Sequence, residues 1–236
     1  MNGPKLLTLK NLCVWYELDK PVLSDFSLEL ESNEIVGLIG LNGAGKTTFI
    51  KTLSGLLKGY RLDAAAYRGK AFSFRDRAFK QNRYTVLAED HSFRYFTFQE
   101  YLSYAAASYG RKQPEVSALV QGFHFGEYTD TLMKELSTGN LKKAYLITAF
   151  ALHPELLLLD EPVNGLDFQS TEYLYQLMKN YRKQGTILFS SHVLESICLT
   201  SDRVIVLEQG RICRSFAGRE IEAGNIREVL STDETT

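Results

Sequence analysis

The chain has 236 residues, of which 44% are hydrophobic and 23% are charged, an ordinary globular composition that argues against disorder. At about 150 residues per domain, this length predicts one or two domains. The formal net charge of -1 excludes a globally basic chain that binds nucleic acid through charge alone. The three cysteines, Cys13, Cys198 and Cys213, lie far apart without a CxxC pair, which indicates a reducing compartment and neither a disulfide framework nor a zinc site.

Neither a targeting segment nor a membrane span is predicted. The first twenty residues lack the signal-peptide pattern, and no stretch approaches the ~18 apolar residues that a span needs. We therefore expect a chain that is soluble by itself and that works at a membrane only if another protein holds it there.

The first half of the chain begins with predicted β-structure. LTLKNLCVWY and VLSDFSLEL alternate with a period of about two, as half-buried antiparallel strands do, and ELDKP between them predicts a turn. IVGLIG, from Ile35 to Gly40, is a continuous apolar run typical of a strand buried on both faces. KTTFIKTLSGLL, from Lys46, has helical spacing and is predicted to end near Gly59.

The middle of the chain, about residues 90–140, has no strand pattern. TFQEYLSYAAASYG predicts a helix that stops at Gly110, and PEVSALVQGF predicts another that stops at Gly122, with Pro114 in its first turn. This part of the chain is therefore predicted to be a helical insertion.

After Asn140 the alternation of strands and helices returns. ELLLLD and TILFSS predict strands, STEYLYQLMKNYRKQG and HVLESICL predict helices, and RVIVLEQGRICRSF predicts a hairpin that turns at Gln209 and Gly210. Such alternation is typical of an α/β fold with a mostly parallel sheet. The C-terminal STDETT is predicted to be frayed.

Residues 40–47 match the P-loop pattern G-x-x-x-x-G-K-[ST] between the apolar strand and the helix. The glycines let backbone N–H groups turn toward a polyanion, and the helix directs its positive end at the phosphates. Lys46 is predicted to place a charge on the β- and γ-phosphates, and the Thr47 hydroxyl to coordinate Mg²⁺. This motif predicts a nucleoside triphosphate site.

A second apolar run ends in Asp160 and Glu161. An apolar strand that ends in Asp is the Walker B arrangement, in which the carboxylate holds the Mg²⁺ shell. The adjacent Glu161 is in a position to orient and polarise an attacking water. We therefore predict Asp160 as a metal ligand and Glu161 as a catalytic residue.

With these motifs the chain resembles the nucleotide-binding subunit of an ABC transporter. GLNGAGKTT, LSTGN, LLLLDEP, NGLD and SSH occur in the family's order and correspond to its Walker A, signature, Walker B, D-loop and switch-histidine segments. The resemblance covers about residues 6–215. It implies a P-loop NTPase core with a mostly parallel sheet, an N-terminal antiparallel β subdomain and an inserted helical subdomain. It implies a single domain over residues 1–236, in which 1–89 and 153–236 form the core and about 90–152 the helical part.

The resemblance also implies the site residues. The catalytic set is Glu161, His192 and Lys46. The nucleotide-binding set is Tyr16, Gly40, Asn42, Gly43, Ala44, Gly45, Lys46, Thr47, Thr48, Ser137, Gly139 and Asp167, and the metal set is Thr47, Asp160 and Glu89. Tyr16 would stack on adenine, whereas the alternation places the neighbouring Trp15 on the opposite face. Ser137 and Gly139 would contact the γ-phosphate held by a second copy, so that ATP lies within a head-to-tail dimer.

The sequence departs from the family at two motifs. Where the family has a Gln that reaches Mg²⁺ and senses the transporter, this chain has Glu89, since Gln81 comes too early and Gln99 lies in the next helix. A carboxylate oxygen is also an Mg²⁺ ligand, but it adds negative charge near the γ-phosphate. The replacement of Gln by Glu89 therefore concerns how ATP hydrolysis is coupled to the transporter, and not whether the chain binds nucleotide. In the signature, Thr138 replaces the first Gly and Asn140 the Gln.

One basic segment, residues 68–83, holds six Lys or Arg and one Asp, interleaved with three Phe. Two interpretations are open: a patch for anionic lipid or nucleic acid, or a solvated, half-buried β segment. The second is favoured.

The sequence therefore predicts an ATPase subunit with ATP and Mg²⁺ as cofactors. It would drive export through separate integral membrane permease subunits, with a second copy or a homologous ATPase subunit as dimer partner. It would be cytoplasmic, peripheral on the cytoplasmic face of the membrane, and would not bind nucleic acid. The alternatives are an importer and a soluble ABC ATPase in cofactor or iron–sulfur assembly. Two other classes of ABC ATPase are disfavoured. An ATPase of nucleic-acid repair would carry a long coiled coil between the P-loop and the signature, which this sequence lacks. A translation ATPase would carry two ATPase units in one chain, and this chain has one.

Overall fold

The computed structural model describes residues 3–231. Its strands are β1 (Lys5–Glu17), β2 (Lys20–Glu31), β3 (Ile35–Ile39), β4 (Tyr60–Arg61), β5 (Ala64–Tyr67), β6 (Lys70–Ala71), β7 (Arg83–Val86), β8 (Leu156–Asp160), β9 (Thr186–Ser190), β10 (Arg203–Glu208) and β11 (Arg211–Ala217). Its α-helices are α1 (Lys46–Leu53), α2 (Arg77–Gln81), α3 (Phe98–Ser108), α4 (Ser117–Gly122), α5 (Thr138–Ala151), α6 (Phe168–Tyr181), α7 (Leu194–Thr200) and α8 (Ala223–Ser231). Short 3₁₀ turns occupy Gly126–Tyr128, Met133–Glu135 and Gly218–Glu220.

The first sheet is antiparallel and is built on the hairpin of β1 and β2. Its strand order is β2-β1-β5-β6, and β4 pairs with another part of β1. In β2 the predicted alternation is present, because Phe26, Leu28 and Leu30 are buried while Ser27 and Glu29 between them are exposed. The predicted N-terminal antiparallel sheet is therefore confirmed.

The second sheet has the order β11-β10-β3-β9-β8-β7, and all neighbours from β10 to β7 are parallel. Only β11 is antiparallel, in a hairpin with β10 that turns at Gln209 and Gly210, both of which have positive φ. The predicted mostly parallel α/β sheet is confirmed. Because β3, β9 and β8 are adjacent, the segments that follow them meet at one edge of the sheet, where open α/β sheets bind ligands.

The parallel strands are buried on both faces. In β3, Val36 and Leu38 pack into the core shared with α1 and the first sheet, while Ile35 and Ile39 pack into the core on the helical side. The first of these cores contains Phe26 and Phe49, whose ring centroids lie 4.4 Å apart. This two-sided packing explains why the strand is a continuous apolar run rather than an alternating one.

Helices α3, α4 and α5 fill the chain between β7 and β8, as the helical-insertion prediction requires. Within residues 90–140 of the described chain, β pairing is limited to a single bridge between Thr97 and Leu132. A capping box starts α3, because Glu100 N–H donates to Thr97 Oγ1 at 3.3 Å and Thr97 N–H donates to Glu100 Oε2 at 2.8 Å. No helix within residues 3–231 combines the length and the hydrophobicity needed to cross a bilayer.

The structure differs from the prediction at the end of the P-loop helix. Helix α1 ends at Leu53, not near Gly59. Gly55 takes a left-handed φ of 69°, and Leu56 N–H donates to Lys51 O at 3.0 Å. This is a Schellman-type stop, which glycine adopts without the steric cost of a Cβ.

The basic segment was also predicted wrongly as a β segment. Its strand residues are Lys70–Ala71 and Arg83, the first residue of β7, whereas Arg77–Gln81 is helical. Phe74 and Phe79 are buried in the core, so the aromatic residues of this segment serve packing. At the other end of the chain, α8 was not predicted; Ser231, the first residue of STDETT, ends this helix, and residues 232–236 lie outside the described part.

Candidate active site

The loop between β3 and α1 forms a cradle of backbone N–H groups. Gly43 and Gly45 have φ values of 84° and 104°, a region that side chains rarely adopt. Lys46 begins α1 and is buried, and its Nζ donates to Gly40 O at 2.7 Å and to Leu41 O at 3.2 Å. Burial lowers the pKa of Lys46, and the carboxylates of Glu161 and Asp160 oppose this shift. The ammonium group therefore lies close to both acidic residues, at the helix N-terminus where a phosphate would bind.

Asp160 ends β8 and is completely buried. Its Oδ1 accepts hydrogen bonds from Thr47 Oγ1 at 3.1 Å and from Ser190 Oγ at 2.6 Å. Its Oδ2 is buried and has no hydrogen-bond partner within residues 3–231. A buried carboxylate with a free oxygen beside a hydroxyl is a fitting donor set for Mg²⁺, a hard cation that binds through one or two carboxylates plus phosphate and water.

These residues would not enclose a metal ion without further ligands. Across residues 3–231 there is no group of three or more His, Cys, Asp or Glu able to hold one. The remaining ligands of an Mg²⁺ ion would therefore be phosphate oxygens and water, as is usual for this cation in nucleotide sites.

Glu161 and His192 are hydrogen-bonded to each other. His192 Nδ1 lies 2.8 Å from Glu161 Oε2, and Glu161 N–H donates to Ser190 Oγ at 2.9 Å. Glu161 has a left-handed φ of 48°, uncommon for a residue with a side chain and frequent at functional sites. Since an ionised carboxylate only accepts hydrogen bonds, the imidazole carries a proton on Nδ1. The pair can hold and orient a water molecule.

A single cleft of about 400 Å³ collects most of the predicted residues. It is lined by Val22, residues 42–48, Glu161, Asn164 and His192. Two further predicted residues contact the lining of this cleft. The carbonyl of Gly40 accepts a hydrogen bond from Lys46, and the carboxylate of Asp160 accepts one from Thr47. Tyr16 is 59% exposed, and its hydroxyl lies 3.4 Å from Thr48 Oγ1. Its aromatic ring is therefore available at the edge of the P-loop, and its stacking on adenine stays a prediction.

The signature segment lies elsewhere, at the start of α5. Ser137 caps this helix by accepting a hydrogen bond from Asn140 N–H at 3.2 Å. Gly139 packs on the backbone of Gly165, so that a Cβ at position 139 would come within 2.2 Å of Gly165 O. This close approach requires glycine at position 139, whereas Thr138 is exposed and has room for its side chain. Ser137 and Gly139 do not line the cleft of their own chain.

Asp167 also lies outside that cleft. It caps α6 through Ser170 N–H at 2.8 Å, and Lys143 Nζ lies 2.6 Å from its Oδ2. The hydrogen bond from Lys143 holds the pKa of Asp167 well below its ordinary value. The predicted D-loop residue is thus tied to α5 within one chain.

Glu89 lines a neighbouring cavity of about 190 Å³ instead of the phosphate cleft. Lys142 also lines this cavity, and its Nζ donates to Leu87 O at 2.8 Å and to Ala88 O at 2.9 Å. Burial lowers the pKa of Lys142 to about 8, although the carboxylates of Asp160, Glu161, Asp90 and Glu89 oppose the shift. Glu89 therefore does not line the phosphate cleft of this structure, and its role as a metal ligand stays a prediction.

Three residues of this region were not predicted: Ser190, Asn164 and Lys142. The pairing of Ser190 with Asp160 follows from the parallel register of β9 and β8, which the sequence pattern does not specify. Asn164 was visible only as the first residue of NGLD, and Lys142 only as one of two adjacent lysines just after the signature segment.

Known proteins resemble this chain in sequence and in fold. A family model described as ABC transporter matches residues 23–164, more than half of the chain. The putative ABC transporter ATP-binding protein AlbC of Bacillus subtilis is 34% identical over 214 residues, covering 88% of this chain and 90% of AlbC. The ABC-type transporter ATP-binding protein EcsA of the same organism is 31% identical over 213 residues, covering 88% and 85%.

Solved structures agree with this relationship. A structure described as the ATP binding subunit of an ABC transporter has a TM-score of 0.85 and 26% identity, covering 98% of this chain and all of that one. The fold of cbiO1 from Clostridium perfringens, part of the ABC transporter complex cbiONQ, has a TM-score of 0.75 and 20% identity, covering 98% and 96%. The chain therefore belongs to the ABC transporter family and is an ATP-binding subunit with ATPase activity.

Proposed function

We propose that ATP is held between two copies of this chain, or between this chain and a homologous subunit, and that its hydrolysis drives a separate integral membrane permease. One observation supports the dimer above the others: the P-loop, Glu161 and His192 line one cleft, while Ser137 and Gly139 do not line it. A second copy placed head to tail would supply its signature segment to the γ-phosphate across the interface.

Each residue of the cleft has a defined role in this proposal. The glycine loop and Lys46 bind the β- and γ-phosphates, and Tyr16 stacks on adenine. Glu161 accepts a hydrogen bond from a water molecule and directs its oxygen at the γ-phosphorus, while His192 holds the carboxylate in place. The new P–O bond forms as the bond to the bridging oxygen breaks, ADP keeps that electron pair, and the proton that the water loses passes to the Glu161 carboxylate and then to solvent.

Mg²⁺ is the proposed metal, and when bound it would neutralise charge that develops on the phosphates. Thr47 and Asp160 would hold it through the hydroxyl and the free Oδ2 of the carboxylate. Glu89 is the third proposed ligand. It follows β7, which pairs with β8 so that Val86 lies opposite Leu159, and this brings the segment after Val86 to the side of Asp160.

The wider assignment rests on family resemblance. We propose that residues 1–236 form one ABC ATPase domain, with a core of residues 1–89 and 153–236 and a helical subdomain of about residues 90–152. We propose that it acts at the cytoplasmic face of the membrane and drives export. Its helical segment followed by a single LSTGN resembles the corresponding region of bacterial exporters whose permeases are separate subunits.

Phosphate release from ATP by the purified chain tests this function, measured alone and together with any multi-span membrane protein that is found to be encoded beside its gene. We expect a basal Mg²⁺-dependent rate that the membrane protein changes when both are placed in proteoliposomes. Glu161→Gln should abolish the rate in both cases while fluorescent ATP still binds. Hydrolysis that the membrane protein leaves unchanged would contradict the transport role.

A further inference from the structure

A buried lysine connects the signature helix α5 to the segment that carries Glu89. Lys142 is only 3% exposed, and its ammonium group donates to the carbonyls of Leu87 and Ala88 at 2.8 and 2.9 Å. These two carbonyls immediately precede Glu89, between the end of β7 and α3. Lysine is almost never fully buried without partners, so this position needs an explanation beyond packing.

The lysine also lies within a group of carboxylates. Glu89 and Asp90 follow its two carbonyl partners along the chain. The carboxylates of Asp160 and Glu161, at the end of β8, also attract the positive charge of Lys142. Burying an ammonium group is costly unless opposite charges and hydrogen bonds offset the lost hydration. Lys142 thus provides positive charge where the chain has a carboxylate in place of the neutral amide expected at position 89.

The adjacent lysine of the same helix has a different neighbour. Lys143 pairs with Asp167 at the start of α6, whereas Lys142 points to the segment after β7. Successive side chains on a helix are about 100° apart, so two neighbouring lysines contact two different segments. The hydrogen bonds to Leu87 and Ala88 are therefore made by Lys142 and not by Lys143.

We propose that Lys142 is a positioning residue that fixes residues 87–90 to α5, so that Glu89 and the signature residues at the start of that helix move together. The segment would otherwise have room to move, because Glu89, Asp90 and Lys142 line a cavity of about 190 Å³. The consequence for hydrolysis rests on the proposed ATPase function. The restraint of residues 87–90 by Lys142 does not depend on that function, so the restraint and its effect on hydrolysis are tested in separate experiments.

The restraint is tested by limited proteolysis after Glu89 with a glutamate-specific protease, on the full chain without nucleotide. Lys142→Met keeps an apolar stem of similar length but removes the charge and the donors. We expect cleavage after Glu89 to become faster, on the order of tenfold, because proteolysis follows the population of the locally opened segment. Cleavage after Glu115, in the exposed stretch before α4, serves as the internal reference and should not change.

Two further variants distinguish positioning from general stability. Lys142→Arg keeps the charge and the donors next to the cavity and should restore slow cleavage after Glu89. Thr148→Val alters a buried residue of the same helix whose hydroxyl donates only to Ala144 O within the helix, and it should leave cleavage after Glu89 slow. If Lys142→Met cleaves no faster than wild type, or if wild type is already cut as fast after Glu89 as after Glu115, the proposal is wrong.

The effect on catalysis is a second, independent measurement. Lys142→Met should lower kcat for ATP on the order of tenfold with KM nearly unchanged, because Lys46 and the glycine loop remain intact. Lys142→Arg should recover most of kcat. If Lys142→Met is cleaved faster but keeps the wild-type kcat, the proposed effect of the restraint on hydrolysis is wrong. If the wild-type chain has no ATPase activity, the proposed function is wrong, and the proteolysis experiment still shows whether Lys142 restrains the segment.

Discussion

His192 Nδ1 lies 2.8 Å from Oε2 of Glu161, and the carboxylate also lies 3.4 Å from the backbone nitrogen of His192. The carboxylate of Glu161 is thus held by His192, two residues after the end of β9, while the backbone of Glu161 is held by Ser190 at the end of that strand. Two neighbouring parallel strands fix the orientation of one acidic side chain. This arrangement suits a group that must direct a water molecule at a phosphate.

The first prediction concerns this hydrogen bond. His192→Ala should lower the rate of ATP hydrolysis roughly 10- to 100-fold, which is about 1.4–2.8 kcal/mol, because Glu161 loses its orienting partner. ATP binding should change little, since the P-loop is untouched. His124→Asn is the control, because His124 is exposed and asparagine tolerates its left-handed φ of 52°. Equal rates for His192→Ala and wild type would contradict the role of His192.

The second prediction tests the close approach of Gly139 and Gly165. Gly139→Ala places a Cβ about 2.2 Å from Gly165 O, so one of the two segments has to move. We expect the free energy of unfolding to fall by roughly 1–3 kcal/mol, as in overpacked sites. Urea unfolding measures this, with Gly126→Ala as control because no heavy atom lies within 4 Å of a Cβ there. The same stability for both variants would show that the approach is not tight in solution.

The third prediction concerns adenine. Tyr16→Ala should weaken ATP binding by roughly 1–3 kcal/mol, the usual effect of removing an aromatic ring from a base. Tyr16→Phe should bind nearly as well as wild type, because the hydroxyl makes only a long contact of 3.4 Å with Thr48. Fluorescent nucleotide titration measures both. Trp15→Ala is expected to affect folding more than affinity, and equal losses for the two Tyr16 variants would refute stacking.

The fourth prediction is a pH dependence of the Lys143–Asp167 pair. The pKa of Asp167 is depressed in the folded chain, chiefly by the hydrogen bond from Lys143. Its contribution to stability is therefore complete above the ordinary carboxyl pKa near 4 and is lost as pH falls through the lower folded-state value. Asp167→Asn should cost about 0.5–1 kcal/mol at pH 7, because the pair is partly exposed.

Urea unfolding of the Asp167→Asn variant and of wild type, at pH 7 and at successively lower pH, checks this dependence. The difference between them should shrink below about pH 4. Asp130→Asn, at an exposed position, is the control. A difference that stays constant across this range would mean that the pair does not set the pKa of Asp167.

The parts of the fold that depend on local pattern could be predicted from the sequence. A few adjacent residues determine the local geometry of each such part. Examples are the glycine spacing of the P-loop, the apolar run before Asp160 and the Gln209–Gly210 turn. The strands of the parallel sheet could also be predicted, because a strand that is buried on both faces has a continuous apolar sequence.

The parts that depend on contacts between distant residues could not be predicted. Phe74 and Phe79 are core residues because other elements cover them, which turned a supposedly solvated segment into a packed one. Ser190 reaches Asp160 only through the register of two strands. Lys142 reaches Leu87 and Ala88 across more than fifty residues of sequence, and no local periodicity encodes that contact.

The central claim is that two copies of the chain enclose ATP. Glu161→Gln should remove the water-orienting carboxylate and leave the phosphate cradle intact, so that the ATP-bound dimer accumulates. Size-exclusion chromatography with light scattering, with and without saturating ATP and Mg²⁺, measures this most directly. We predict a monomer without ATP and a dimer with ATP for Glu161→Gln, and a monomer in both conditions for a control that also carries Lys46→Ala. A Glu161→Gln variant that binds ATP and remains monomeric would contradict the claim.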